Sequence, residues 1–393
     1  MYDVHSVRED FPVLKEVIYL DNAATTQTPV PAVKAMDEYF FKYAGNHGRG
    51  AHRLARETTN HYEDARENVA DFLNADVKKT IFTRNATEGI NVIARGFPWE
   101  DGDHVIVTLV EHHSNLLPWM RLRKEGVDLT IVKPDATGVV DPEDIASAIT
   151  ERTRLVAITQ VSNVFGSIQD VSRVIRTARR EDVRVLVDGS QSAGHMAVDL
   201  GSMDPDFFVT PGHKGLLGPQ GTGVLYIREP DIIEPLFLGG GMVRAVTDLD
   251  YEIEESPAKF EAGTPNMPGA IGLGRAVEYV KDIGVKNIER HELALAKDAA
   301  RRLAAIDGVE VYGPKERASV VPFNVTGMNA HDVAMILDQT RKICVRSGYH
   351  CAIPGIGFLG VDGTVRASFA LYNTQEEVDK LIETVLNIAA FVA

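Results

Sequence analysis

Between residues 80 and 227 the chain alternates short apolar, often β-branched runs with stretches of helical periodicity, and this alternation limits the folds open to it. The runs fall at 80–83, 104–109, 129–132, 155–160, 183–187, 207–209 and 223–227. Most are continuously apolar, as strands buried on both faces must be. Between them lie patterns such as 171–180, where Val171, Val174 and Ile175 share one helix face. The expectation is an α/β fold with a mainly parallel sheet covered by helices. Helical stretches at 31–42 and 58–73 precede it, Pro29 and Pro31 marking a helix start. Gly239-Gly240-Gly241 opens an irregular region that runs to about residue 264. A helix at 269–283 then leads into a smaller α+β unit, with strands at 320–325, 343–346 and 365–371 and helices at 331–339 and 375–390. The expected division is a segment 1–20 packing with the small unit, a large domain 21–265, and a C-terminal domain 266–393 that carries a cysteine loop.

Composition removes several function classes. Lys and Arg number 41 against 56 Asp and Glu, a net charge of −15, which disfavours nucleic acid as a partner. Basic groups at 121–124 and 176–180 fall on helical patterns and read as solvated faces or docking patches. No uninterrupted apolar stretch reaches the roughly 18 residues of a membrane span, so no membrane is expected. The opening residues lack the basic and apolar regions of a secretion signal. Only Cys344 and Cys351 occur, which is no disulfide framework and suits a reducing cytoplasm.

Chemistry-bearing residues gather after the strand-like runs, where open parallel sheets bind ligands. Asp188 ends the run 183–187, and Lys214 follows the run 207–209 in Thr210-Pro211-Gly212-His213-Lys214-Gly215. A buried amine can form a Schiff base, and a buried carboxylate can keep a pyridinium nitrogen protonated; together they suit pyridoxal phosphate. The segment Arg84-Asn85-Ala86-Thr87-Glu88-Gly89 follows a strand and opens a helix, and both a phosphate site and a plain N-cap fit it. In Glu111-His112-His113-Ser114-Asn115 an imidazole could stack on an aromatic cofactor or shuttle a proton. Zinc at His112 and His113 lacks a third ligand at recognisable spacing, so no metal is expected. Asn163 and Gln191 complete the rim, though each also reads as a turn former. Cys351 lies in a Gly- and Pro-bounded loop, where cations such as Arg346 or His350 would favour its thiolate. Cys344 reads as a small core residue. Arg366 is a cation inside a strand and fits either a bidentate carboxylate ligand or a structural ion pair.

These segments, in this order, resemble the class V aminotransferase group of fold-type I pyridoxal-phosphate enzymes, and within it the SufS-like (group II) cysteine desulfurases. The matching stretches begin with Tyr19-Leu20-Asp21-Asn22-Ala23-Ala24, Thr87-Glu88-Gly89-Ile90-Asn91 and Val187-Asp188-Gly189-Ser190-Gln191. They continue with Gly212-His213-Lys214, Phe260-Glu261-Ala262-Gly263-Thr264-Pro265-Asn266 and Arg346-Ser347-Gly348-Tyr349-His350-Cys351-Ala352, and end with Arg366-Ala367-Ser368. The resemblance implies pyridoxal 5'-phosphate on Lys214, with Asp188 on its ring nitrogen, His112 stacked on the ring and Gln191 at its phenolic oxygen. It puts the phosphate on Thr87 and His213, with Ala86 beside them and Thr264 joining from the second subunit of a homodimer. Arg366, Asn163 and Arg346 would face the substrate.

The implied reaction converts L-cysteine to L-alanine and leaves a persulfide on Cys351 for a sulfur acceptor protein or iron–sulfur scaffold, with His112 as an acid or base. Selenocysteine lyase, another C–S lyase or an epimerase of the same group is the alternative. A non-catalytic binding protein and a metal-dependent hydrolase on the two histidines stand further off. Two departures matter. Pro211 replaces a hydroxyl residue and Ala86 a threonine, which predicts weaker cofactor retention unless Thr210 supplies the missing hydroxyl. Tyr349-His350 stands where the family has two histidines before the cysteine.

Overall fold

In the computed structural model, residues 2–48 and 50–392 are described. The runs of the large unit become β1 (Thr80–Thr83), β2 (His104–Thr108), β3 (Asp128–Val132), β4 (Thr153–Thr159), β5 (Arg184–Asp188), β6 (Phe207–Pro211) and β7 (Gly223–Ile227). They form one sheet in the order β1-β7-β6-β5-β4-β2-β3. β7 runs antiparallel to both of its neighbours, and the pairings among β2 to β6 are parallel. Continuous apolarity is explained by the two cores that the sheet separates. Val105, Val107, Leu155 and Ala157 belong to one, and Ile106, Val156 and Ile158 to the other, so successive residues of a strand serve opposite faces.

The second unit holds a four-stranded antiparallel sheet of β8 (Val309–Val311), β9 (Val320–Val325), β10 (Arg346–Gly348) and β11 (Thr364–Ser368), in the order β8-β9-β11-β10. Three sequence expectations are redrawn here. The strand expected at 343–346 is split: Ile343–Cys344 pairs in parallel with Ile18–Tyr19, and the chain turns at Val345 so that Arg346 joins the small sheet. The strand expected at 365–371 ends at Ser368, one residue before the last backbone bond to the β9 side and two before a side chain takes over. Phe369 N donates to Ser319 O at 2.9 Å and Ala370 N to the Asn373 side chain at 2.8 Å. The irregular stretch after Gly241 contains a hairpin, Val243–Val246 with Tyr251–Ile253. Its residues are largely exposed, so it lacks the buried face that would write an alternating pattern into the sequence. A second long helix, Val285–Leu303, also follows Met267–Ile283 after only Gly284, whose φ of +88° permits the break.

The cysteine loop belongs in sequence to the second unit but is seated in the first. Ala352 and Ile356 are both inaccessible to solvent and lie in the core cluster of the large sheet, together with Val110, Val164 and Phe165. The short helix Ile353–Phe358 thereby ties residue 351 to the β2 and β4 ends of the sheet. Ile356→Ala should lower stability by about 2–5 kcal/mol, the range for a buried large-to-small change. Leu386→Ala, at a half-exposed position, should change it by less than about 0.5 kcal/mol. Urea midpoints of the two variants check this contrast.

Candidate active site

The carboxyl ends of β4, β5 and β6 open onto a cavity of about 150 Å³. Thr159 and Asp188 are the last residues of their strands, and Lys214 follows the end of β6. The turn carrying Lys214 lies against the one after Gln191. A Cβ on Gly194 would sit 2.1 Å from Gly215 O, and one on Gly215 would sit 2.3 Å from Ala193 O. Only glycines allow these two backbones to meet. Lys214 O accepts from Thr26 Oγ1 at 2.7 Å, which fixes the turn from the other side.

Loss of solvent sets the charges inside. The Lys214 amine is pushed down to about 8, mainly by burial, with Asp188 opposing and Arg366 and Arg346 adding to the shift. A sizeable fraction is therefore unprotonated near neutral pH, as a nucleophilic amine requires. Burial raises the Asp188 carboxyl, while Ser190 and Lys214 pull it down; its Oδ1 accepts Ser190 N at 2.9 Å. His112 is pushed down to about 3, first by burial and then by Lys214. Its Nδ1 accepts Ser114 N at 3.1 Å, so the neutral ring carries its proton on Nε2. Glu111 beneath it is pushed up to about 8 by burial, and accepts Thr159 N at 2.9 Å and Asn115 Nδ2 at 2.6 Å. These bonds hold the residues around His112 to β4.

At the rim toward the second unit, Arg366 is almost fully buried. Its Nη1 donates to Asn163 O at 3.1 Å and its Nη2 pairs with Asp21 Oδ1 at 3.2 Å, so the structural ion pair is present. Nε, however, is buried without a partner. Burial draws the guanidinium down to about 10, which leaves it charged at neutral pH. Arg346 stands directly opposite it across β10 and β11. Facing like charges are unfavourable unless an anion lies between or near them. Arg346 Nη2 also lies 3.6 Å from Cys351 Sγ. Cys351 is exposed, while Cys344 is half-buried. His350 does not serve as a second cation. It is buried, bonded through Nε2 to Thr364 Oγ1 at 2.8 Å, and pushed down to about 2.

The donor set suits an anionic, planar cofactor. Ala86, Thr87 and His213 line one end of the cavity, at the N-terminus of the eleven-residue helix Ala86–Gly96. Asn85 caps that helix by accepting Glu88 N at 2.9 Å, so the cap reading of this turn is realised beside the cavity that Ala86 and Thr87 line. Thr87 Oγ1 lies 2.7 Å from Ser114 Oγ. His213 Nδ1 is buried with no partner, as expected of a group awaiting an acceptor. Gln191 Nε2 donates one hydrogen to Ala23 O at 2.8 Å and has a second to offer. Thr210 cannot replace the hydroxyl missing at Pro211. Pro211 lines the cavity, whereas buried Thr210 alternates to the other side of β6, its Oγ1 3.5 Å from Gly189 O. Thr264 lies outside the Lys214 cavity, in separate hollows with Glu261 and Pro265. The role of His113 in the cysteine loop is missed by sequence reasoning, because its partners lie 238 or more positions away (351 − 113 = 238).

Comparison with known proteins bears on this geometry. The family described as Aminotransferase class-V matches residues 18–381. A protein of Methanothermobacter thermautotrophicus named "Probable cysteine desulfurase" is 48% identical over 98% of this chain and 97% of its own length. One of the same name from Pyrococcus abyssi is 44% identical over 96% and 95%. Among solved structures, the apo cysteine desulfurase of Thermococcus onnurineus superposes with a TM-score of 0.97 at 44% identity, covering 100% of this chain and 99% of the other. The Escherichia coli cysteine desulfurase CsdA does so with a TM-score of 0.93 at 36% identity, covering both chains completely.

The buried imidazoles make stability depend on acid. His350 has a folded pKa of about 2 against 6.5 for a free imidazole, so below 6.5 the unfolded chain takes up a proton that the folded chain refuses. This contribution is constant above pH 6.5 and erodes stability as pH falls from there. His350→Gln, which cannot titrate, should gain on the wild type steadily between pH 6.5 and about 4. Urea midpoints across that range should show the gap widening toward acid and staying flat above neutrality.

Proposed function

The chain belongs to the class V aminotransferase family, and from that premise we propose that it is a cysteine desulfurase that converts L-cysteine to L-alanine and stores the sulfur as a persulfide on Cys351. The observation that carries this reading is the placement of exposed Cys351, with an arginine 3.6 Å from its sulfur, on the rim of a cavity built around Lys214 and Asp188. The cofactor of this enzyme type is pyridoxal 5'-phosphate, which supplies an electron sink for the pair released at the substrate Cα.

The residues divide the remaining work. Lys214 would hold the cofactor, and its free amine, with a pKa near 8, is suited to take the Cα proton. Asp188 would pair with the ring nitrogen and keep it protonated. His112 would stack on the cofactor ring with its Nε2 proton to offer, Gln191 would address the phenolic oxygen, and Thr87, Ala86 and His213 would take the phosphate. Thr264 of a second copy would complete that end in a homodimer. Arg366 binds the substrate carboxylate through its free Nε, with Asn163 and Arg346 beside it. The Cys351 thiolate attacks the substrate sulfur, forming an S–S bond as the C–S bond breaks. The electron pair stays with the three-carbon fragment, which is protonated to alanine. Exposure lets the persulfide meet a sulfur acceptor protein, such as an iron–sulfur assembly scaffold.

Cys351→Ser should abolish alanine and sulfide release from L-cysteine while the cofactor's visible absorption band remains. Sulfide release at the wild-type rate in that variant would overturn the role of Cys351 and favour a C–S lyase. Pro211→Ser restores a hydroxyl to the cavity wall and should tighten cofactor binding about fivefold, roughly one net hydrogen bond. Titration of apoprotein with pyridoxal phosphate, followed by absorbance, reads that change.

A further inference from the structure

His113 remains unused by the reading above, and among the described residues it belongs to no metal-ligand group. Among the described residues it nevertheless makes two of the three hydrogen bonds that hold the backbone around Cys351 to the large sheet. His113 N donates to Cys351 O at 2.7 Å, and His113 Nε2 accepts Ile353 N at 3.0 Å. Asn163 Nδ2, donating to His350 O at 2.8 Å, makes the third. Such holding is needed. His350 and Cys351 both adopt left-handed backbone, with φ of +51° and +57°, which L-residues adopt only where their surroundings enforce it. Ala352 offers no side-chain cap to the helix that follows, so the imidazole of His113 fills that place for Ile353 N.

His113 directly follows His112, which lines the cofactor cavity. One short turn, His113–Asn115, pinned below by Glu111, therefore sets both the His112 imidazole that lines the cavity and the carbonyl of the sulfur-bearing residue. We infer that His113 is the positioning residue for the sulfur nucleophile, fixing through the Cys351 carbonyl and the Ile353 amide the distance from Sγ to the substrate held over His112. This rests on the desulfurase reading but concerns a residue which that reading leaves without a role. The acceptor must be a lone pair at the position of Nε2. A glutamine places its amide oxygen close to that point; alanine offers none, and asparagine falls short of it.

The test compares wild type, His113→Ala, His113→Asn and His113→Gln as cofactor-loaded enzymes. Single-turnover alanine formation should fall about tenfold in H113A and H113N, as expected for a misplaced reacting atom. KM should stay within about twofold, since His113 does not touch substrate. H113Q should recover to within about threefold of the wild type. Amide hydrogen exchange over residues 351–358 should quicken in H113A and H113N and return toward the wild type in H113Q. Equal turnover in H113A and wild type, or a glutamine variant as impaired as the alanine one, overturns the inference. A wild type that releases no alanine from L-cysteine overturns the desulfurase reading instead, and the exchange pattern still reports whether His113 holds the loop.

Discussion

The guanidinium of Arg366 joins the three parts of the chain that build the site. It projects from the small sheet, pairs with Asp21 just after the N-terminal segment and donates to the Asn163 carbonyl beside the large sheet. A charge taken so far from water is tolerable only with good partners, and here the partners lie 203 and 345 positions away in sequence. The compensation is incomplete. Nε stays unpaired and Arg346 faces it with a second positive charge. The same group thus couples the two units and leaves a deficit that an anion can fill.

Desolvation is the common cause behind the site's protonation pattern. It lowers Lys214 toward neutrality and keeps His112, His213 and His350 uncharged, although all three histidines face or adjoin the cavity. A neutral His112 can lie against an aromatic ring without carrying charge into it, and its bond from Ser114 selects the Nε2 proton. The positive charge that remains is concentrated on the arginines, where a carboxylate and a thiolate would each find it.

Much of the large unit was legible because its strands are buried on both faces, and such strands must be written as unbroken apolar runs. Their ends could then be read as places for ligands, which brought out Asp188, Lys214 and His112. The segments poorly read are those whose backbone bonds are not periodic. The hairpin after Gly241 has no buried face, the 343–346 run serves two different sheets, and β11 stops where side chains replace the ladder. The choice left open at Thr210 and the cationic reading of His350 are settled by features of a similar kind. Proximity in sequence to Lys214 or Cys351 does not tell which way a side chain points, and strand alternation turned one away while the Thr364 hydroxyl took the other.

By itself, the sequence determined the layer architecture, the residue types at the strand ends and hence the class of chemistry, because hydrophobic period and local turn chemistry are short-range properties of a chain. Only the tertiary structure decided which of those residues are charged and where the sulfur stands. The first depends on how much water the surrounding fold removes from each group. The second depends on Ala352 and Ile356 being drawn into the core of the large sheet and on His113 meeting the loop across 238 residues (351 − 113 = 238). No local pattern records contacts of that range.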